Sequence, residues 1–114
     1  MAGKLTTHAL DTMHGCGCGG LAVEVRRVSA PEQGYPSIVL DAGGRGVLLG
    51  EGLERGVYDL VFHAADYFRA KGVDLPDPPF LDTVSIRFGV SDEDGHYHVP
   101  LLVSPYAYST YRGG

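Results

Sequence analysis

A few histidines and arginines, set among apolar residues, are the side chains of this sequence best able to do chemistry. His8 lies within Leu5-Thr-Thr-His-Ala-Leu10, and His96 and His98 share the run His96-Tyr-His-Val-Pro-Leu-Leu-Val103. Arg45 follows a glycine pair in Asp41-Ala-Gly-Gly-Arg45, and the chain closes on Tyr111-Arg-Gly-Gly114. Histidine suits proton transfer, because its unperturbed pKa of roughly 6.5 lies close to neutrality. Arginine suits a planar polar partner, because its flat fork donates two parallel hydrogen bonds. His96-x-His98 with His8 is also conceivable as an open zinc centre, but no recognisable ligand spacing and no acidic residue to orient the rings accompanies it. No Gly-x-Ser-x-Gly nucleophile motif occurs.

Strands must position these residues, and side chains alternate between the two faces of a strand. Along His96–Val103, Tyr97, Val99, Leu101 and Val103 form one apolar row that should face a core. His96, His98, Pro100 and Leu102 form the other row, a mixture that is neither a plain solvated face nor a core. Such a face reads as covered by something, most simply a second subunit. Pro100 belongs at an edge or a bulge, so regularity is expected to break near it. His8 shares its face with Thr6 and Leu10, again a polar–apolar mixture. Spacing alone favours the plainer reading, in which His96 and His98 are solvent-facing polar residues.

The same alternation recurs along Leu21–Val25, Val57–His63 and Thr83–Val90, with further strands expected around Leu5–Asp11, Ser37–Asp41, after Arg45 and over Tyr106–Arg112. Ala64–Lys71 carries good helix formers and stops at Gly72, so one short helix is expected there. With 17 glycines and 7 prolines to make turns, seven or eight short strands and one helix point to an antiparallel β-sandwich. The length of 114 residues fits one domain. A net charge of -5 without any basic run disfavours nucleic acid, which is held by cations on phosphates. Neither a membrane span nor a secretory signal is evident, and a cytoplasmic location follows by default. Cys16 and Cys18, separated by one residue, read as small residues in a glycine-rich turn.

Several motifs together resemble the 5-hydroxyisourate hydrolases of the transthyretin-like family. These are Thr7-His-Ala-Leu-Asp-Thr12, His14-Gly-Cys16, Asp41-Ala-Gly-Gly-Arg45, Tyr58-Asp-Leu-Val-Phe-His63, Asp66-Tyr-Phe68, Pro79-Phe-Leu-Asp82, His96 to Pro105 and Tyr108-Ser-Thr-Tyr-Arg-Gly113. The family's tail ends in serine where this chain has Gly114, and Gly43 takes a position that is acidic in the family turn. The carrier transthyretin shares the Ser-Pro-Tyr-x-Tyr-Ser-Thr portion but lacks the histidine, arginine and Tyr-Arg-Gly features.

The resemblance implies an all-β, transthyretin-like sandwich of two sheets, with residues 1–114 as one domain. It implies hydrolysis of 5-hydroxyisourate to 2-oxo-4-hydroxy-4-carboxy-5-ureidoimidazoline in urate degradation, without cofactor or metal. A small-ligand carrier of the transthyretin type is the alternative. By the same resemblance the chain is a homotetramer, a dimer of dimers with its sites at subunit interfaces, binding no nucleic acid or membrane. His8, Arg45 and His98 are then the catalytic residues, with Tyr111, Arg112, Gly113 and Gly114 binding substrate. His96, His14 and His63 are assigned no part in the chemistry.

Overall fold

The computed structural model describes residues 2–30, 32 and 36–113. Nine strands and one helix are found among them: β1 (Lys4–Asp11), β2 (Cys16–Gly17), β3 (Ala22–Arg27), β4 (Ser37–Val39), β5 (Arg45–Leu49), β6 (Gly56–Phe62), α1 (Ala64–Ala70), β7 (Val84–Val90), β8 (His96–Val103) and β9 (Tyr108–Thr110). One sheet runs β2-β1-β8-β9, with β5 also on β1, and the other runs β4-β3-β6-β7. The two-sheet sandwich is as expected, with one strand more, because β2 is a two-residue pairing that alternation cannot reveal. The sheets are also not wholly antiparallel: β1 and β8 run parallel over their full lengths.

The core lies between the sheets and is built from the inward rows that alternation marks out. Leu5 and Ala9 of β1 meet Tyr97, Val99, Leu101 and Val103 of β8, and Val23, Tyr58, Leu60, Phe62, Val84 and Ile86 come from the opposite sheet. Two polar residues join this row. Thr7 is satisfied by donating to the Val99 carbonyl at 2.7 Å. Asp11, only 1% exposed, accepts the backbone N–H groups of Met13 and His14, the His14 ring at 2.6 Å and the Tyr67 hydroxyl at 2.8 Å. Burial pushes its carboxyl pKa up, but these donors outweigh burial and hold it below the usual value. Asp11 therefore ties His14 of the first turn to Tyr67 of α1.

The helix stops where its sequence says it should. Gly72 takes φ 84°, and the Gly72 and Val73 N–H groups bond back to Arg69 and Phe68 carbonyls. This αL closure satisfies the last turn's carbonyls and favours glycine.

The last strand differs from its expected span of Tyr106–Arg112. At its start, Ser104 and Ala107 close a turn through the Ser104 N–H and the Ala107 carbonyl. At its end the cause is Pro100. Leu101 pairs with Thr110 and His98 with Gly113, which places Tyr111 opposite Pro100. Proline has no N–H to give the ladder, and its carbonyl instead accepts the Thr110 hydroxyl at 2.7 Å. Side-chain parity along β8 survives the proline; the pairing beside it does not. Tyr111 and Arg112 leave the sheet, and Gly113 rejoins it at His98.

Candidate active site

β1, β5 and β8 bring the candidate residues to one face. His8 stands opposite Arg45 across the β1–β5 pair, and Thr6 stands opposite His98 across the β1–β8 pair. Both are even-numbered positions of β1, so His8, Arg45 and His98 share the outer face of the sheet. A cleft of about 400 Å³ there is lined by Thr6, Asp41, Arg45, Val47, His96 and His98, among others.

The turn before β5 explains how Arg45 is presented. Asp41 Oδ1 accepts the N–H groups of Gly43 at 3.0 Å and Arg45 at 2.9 Å. Gly44 then adopts φ 79°, and its carbonyl accepts the Ala9 N–H at 2.8 Å. A Cβ on Gly44 would strike the Ala9 carbonyl, so the second glycine of the pair is required. His8 is held to the same turn, its Nε2 lying 3.0 Å from the Gly43 carbonyl.

His98 is half-buried, with its Nδ1 2.8 Å from Thr6 Oγ1. Its pKa is lowered, first by burial and then by the positive charge of His96, His8 and Arg45 nearby. Each cause disfavours the imidazolium and favours the neutral ring. The tail reaches this ring from behind. The Gly113 N–H donates to the His98 carbonyl at 2.8 Å, and a Cβ on Gly113 would lie 2.5 Å from His98 Cδ2.

Tyr111 and Arg112 go elsewhere within the chain. They line a second cavity of about 310 Å³, with Ile86, Phe88 and Tyr97, at the edge between the sheets. The Arg112 guanidinium lies 4.2 Å from the Tyr97 ring centroid, a cation–π contact on the opposite face of β8 from His98. Gly114 lies outside the described residues. Of the other histidines, His63 pairs with Glu24 at 2.6 Å on the opposite sheet. Among the described residues no group of three or more His, Cys, Asp or Glu side chains is placed to hold a metal ion.

A profile of the HIUase/transthyretin family matches residues 5–113. The chain belongs to that family. It is 53% identical to a 5-hydroxyisourate hydrolase of Pseudomonas aeruginosa over 115 residues, covering 97% of this chain and 91% of the relative. Klebsiella pneumoniae 5-hydroxyisourate hydrolase superposes with a TM-score of 0.84 at 27% identity, covering 98% of this chain and 99% of that one. (S)-allantoin synthase superposes with a TM-score of 0.89 at 42% identity over 98% of this chain, which spans 44% of that longer protein. Family membership accounts for the sheet arrangement that puts β1, β5 and β8 side by side. Of the cleft residues, Thr6 and Asp41 carry no expected role from the sequence, and His96 is one expected to stand outside the chemistry. Parity placed Thr6 and His96 on the right face, but only the β1–β8 register shows that they touch.

Proposed function

We propose that this chain hydrolyses 5-hydroxyisourate, opening its six-membered ring by attack of water on a carbonyl to give 2-oxo-4-hydroxy-4-carboxy-5-ureidoimidazoline. The observation that carries the reading is a half-buried His98, its pKa held down by burial and nearby cations, sharing an outer cleft with Arg45, in a family whose members include 5-hydroxyisourate hydrolases. His98 accepts a proton from water at Nε2, the ring nitrogen not engaged by Thr6. As the water oxygen bonds to the carbonyl carbon, Arg45 donates to the developing oxyanion. The ring C–N bond then breaks, and the proton passes to the departing nitrogen. His8, placed beside Arg45, shares in proton transfer. Gly113 brings the tail to His98, while Tyr111 and Arg112, expected to bind substrate, lie within the chain on the other face of β8 and are given no part in this step. No cofactor takes part in this scheme. Arg45, His96 and His98 give the cleft hydrogen-bonding groups that a planar, polar substrate can use.

The outer face also leads us to place the site at an interface of a homotetramer. Val47 in the cleft is 59% exposed and Leu10 on the same strand face as His8 is 36% exposed, apolar surface that a second copy would cover. We read residues 1–114 as one domain working in the cytoplasm. Among the described residues no helix is long and apolar enough to cross a membrane.

The test is a coupled assay in which urate oxidase makes 5-hydroxyisourate in situ and its ultraviolet decay is followed. The chain accelerates that decay and His98→Ala abolishes the acceleration. A rate no faster than the spontaneous one sinks the reading, and full activity in His98→Ala sinks the assignment of His98. Light scattering that reports a monomer at micromolar concentration contradicts the interfacial site.

A further inference from the structure

The two histidines of β8 are joined by a single hydroxyl. Thr6 Oγ1 lies 2.8 Å from His98 Nδ1 and 2.8 Å from His96 Nε2. The two rings stand 6.2 Å apart at 66°. Neighbouring Thr7 spends its hydroxyl on a backbone carbonyl. Among the described residues, Thr6 Oγ1 has these two rings as its partners.

A hydroxyl has one hydrogen to donate and two lone pairs to accept with. If Nε2 of His98 is to receive a proton, Nδ1 carries its hydrogen and donates to Thr6 Oγ1. The hydrogen of Thr6 is then directed at His96 Nε2, which accepts it. The tautomers of the two histidines are thereby coupled through Thr6. The other groups facing the pair are His8 of β1, Arg45 of β5 and Asp41 of the preceding turn, with Lys4 opposite His96 in the ladder.

We propose that Thr6 and His96 form a proton relay that sets the tautomer of His98 and carries positive charge from it to the exposed edge of the cleft. The proposal rests on the reading of His98 as the base. When His98 takes the water proton at Nε2, its Nδ1 proton moves to Thr6 as Thr6 gives its own to His96 Nε2. His98 is left neutral and His96 becomes the imidazolium, with no proton gained or lost. When His98 gives its Nε2 proton to the departing nitrogen, the two transfers run backwards and the starting state returns. The advantage is electrostatic. An imidazolium at His98 is desolvated and faces Arg45 and His8, whereas His96 is the more exposed of the two rings in the single chain. Thr6 and His96 are positioning residues, since neither needs to touch the substrate.

Three substitutions test the relay: Thr6→Val removes the hydroxyl at nearly constant shape, Thr6→Ser restores it, and His96→Gln keeps a hydrogen-bonding group that does not ionise. Ring-nitrogen NMR on the ¹⁵N-histidine protein between about pH 5 and 8, the range in which histidine titrates, reads the tautomer without substrate. His98 is expected as the Nδ1–H form in the native chain and Thr6→Ser, and to lose that bias in Thr6→Val. In the coupled assay, kcat should fall by about tenfold or more in Thr6→Val and His96→Gln, with KM changed by less than about twofold, and recover in Thr6→Ser. An unchanged His98 tautomer in Thr6→Val, or a kcat within about twofold of the native value in both variants, overturns the relay. A native chain that fails to hasten the decay overturns the functional reading instead, and the nitrogen spectra still decide whether Thr6 sets the tautomer.

Discussion

The sharpest perturbation of the proposed site is one methyl group, in Gly113→Ala. The added Cβ would lie 2.5 Å from His98 Cδ2, 3.1 Å from Cγ and 3.2 Å from Cβ, where ordinary contact begins at 3.4 Å. The nearest contact is to the ring itself, so the imidazole or the tail must give way by roughly an ångström, a displacement that can cost on the order of 100-fold in rate. If the ring moves, the 2.8 Å contact of Nδ1 with Thr6 opens. If the tail moves, the Gly113 N–H leaves the His98 carbonyl. The expected outcome is a kcat lowered by about 10- to 100-fold and a stability loss of about 1–3 kcal/mol, the usual range for overpacking. Steady-state kinetics in the coupled assay give the first number, and urea unfolding gives the second. A Gly113→Ala chain with native kcat, in a protein that His98→Ala inactivates, would refute the claim that the tail positions the base.

Three further outcomes follow from the same contacts. Arg45→Lys keeps a charge but loses the planar fork, so kcat/KM should fall by about 10- to 100-fold, and a change under about threefold would place the oxyanion donor elsewhere. Because burial and neighbouring cations lower the pKa of His98, the acid limb of kcat/KM should lie below the roughly 6.5 of free histidine and move upward in Arg45→Gln; a limb above that value in the native chain contradicts the neutral base. Asp11→Ala leaves the Tyr67 hydroxyl and two backbone N–H groups without their buried acceptor, for a loss of about 2–4 kcal/mol in denaturant unfolding. Since the carboxyl pKa of Asp11 is lowered on folding, its stabilisation is present above the unfolded value of about 3.9 and is lost as pH falls through the folded one. The stability difference between native and Asp11→Ala chains should therefore shrink only in acid.

Much of the sandwich was legible because its strands are half-buried, and burial on one face imposes a period of two. Leu5 and Ala9, or Tyr97 to Val103, announce the core by alternation, and His8, His96 and His98 fall on the opposite face by the same rule. Gly72 after α1 is likewise local, since it needs only its own backbone angle, whereas Gly44 before β5 also has to clear the Ala9 carbonyl of β1. The parallel β1–β8 pairing was not legible, since strand neighbours separated by some 90 residues leave no mark in either strand's own pattern. That pairing is what sets Thr6 between His96 and His98. The tail shows the division most plainly. That Pro100 cannot complete a ladder and that glycines follow Arg112 was readable before any fold was known, because those are properties of single residues. That the gap falls at Tyr111, that Arg112 crosses to Tyr97 and that Gly113 closes against His98 came from the pairing of distant strands, because each depends on which residue the opposite strand presents.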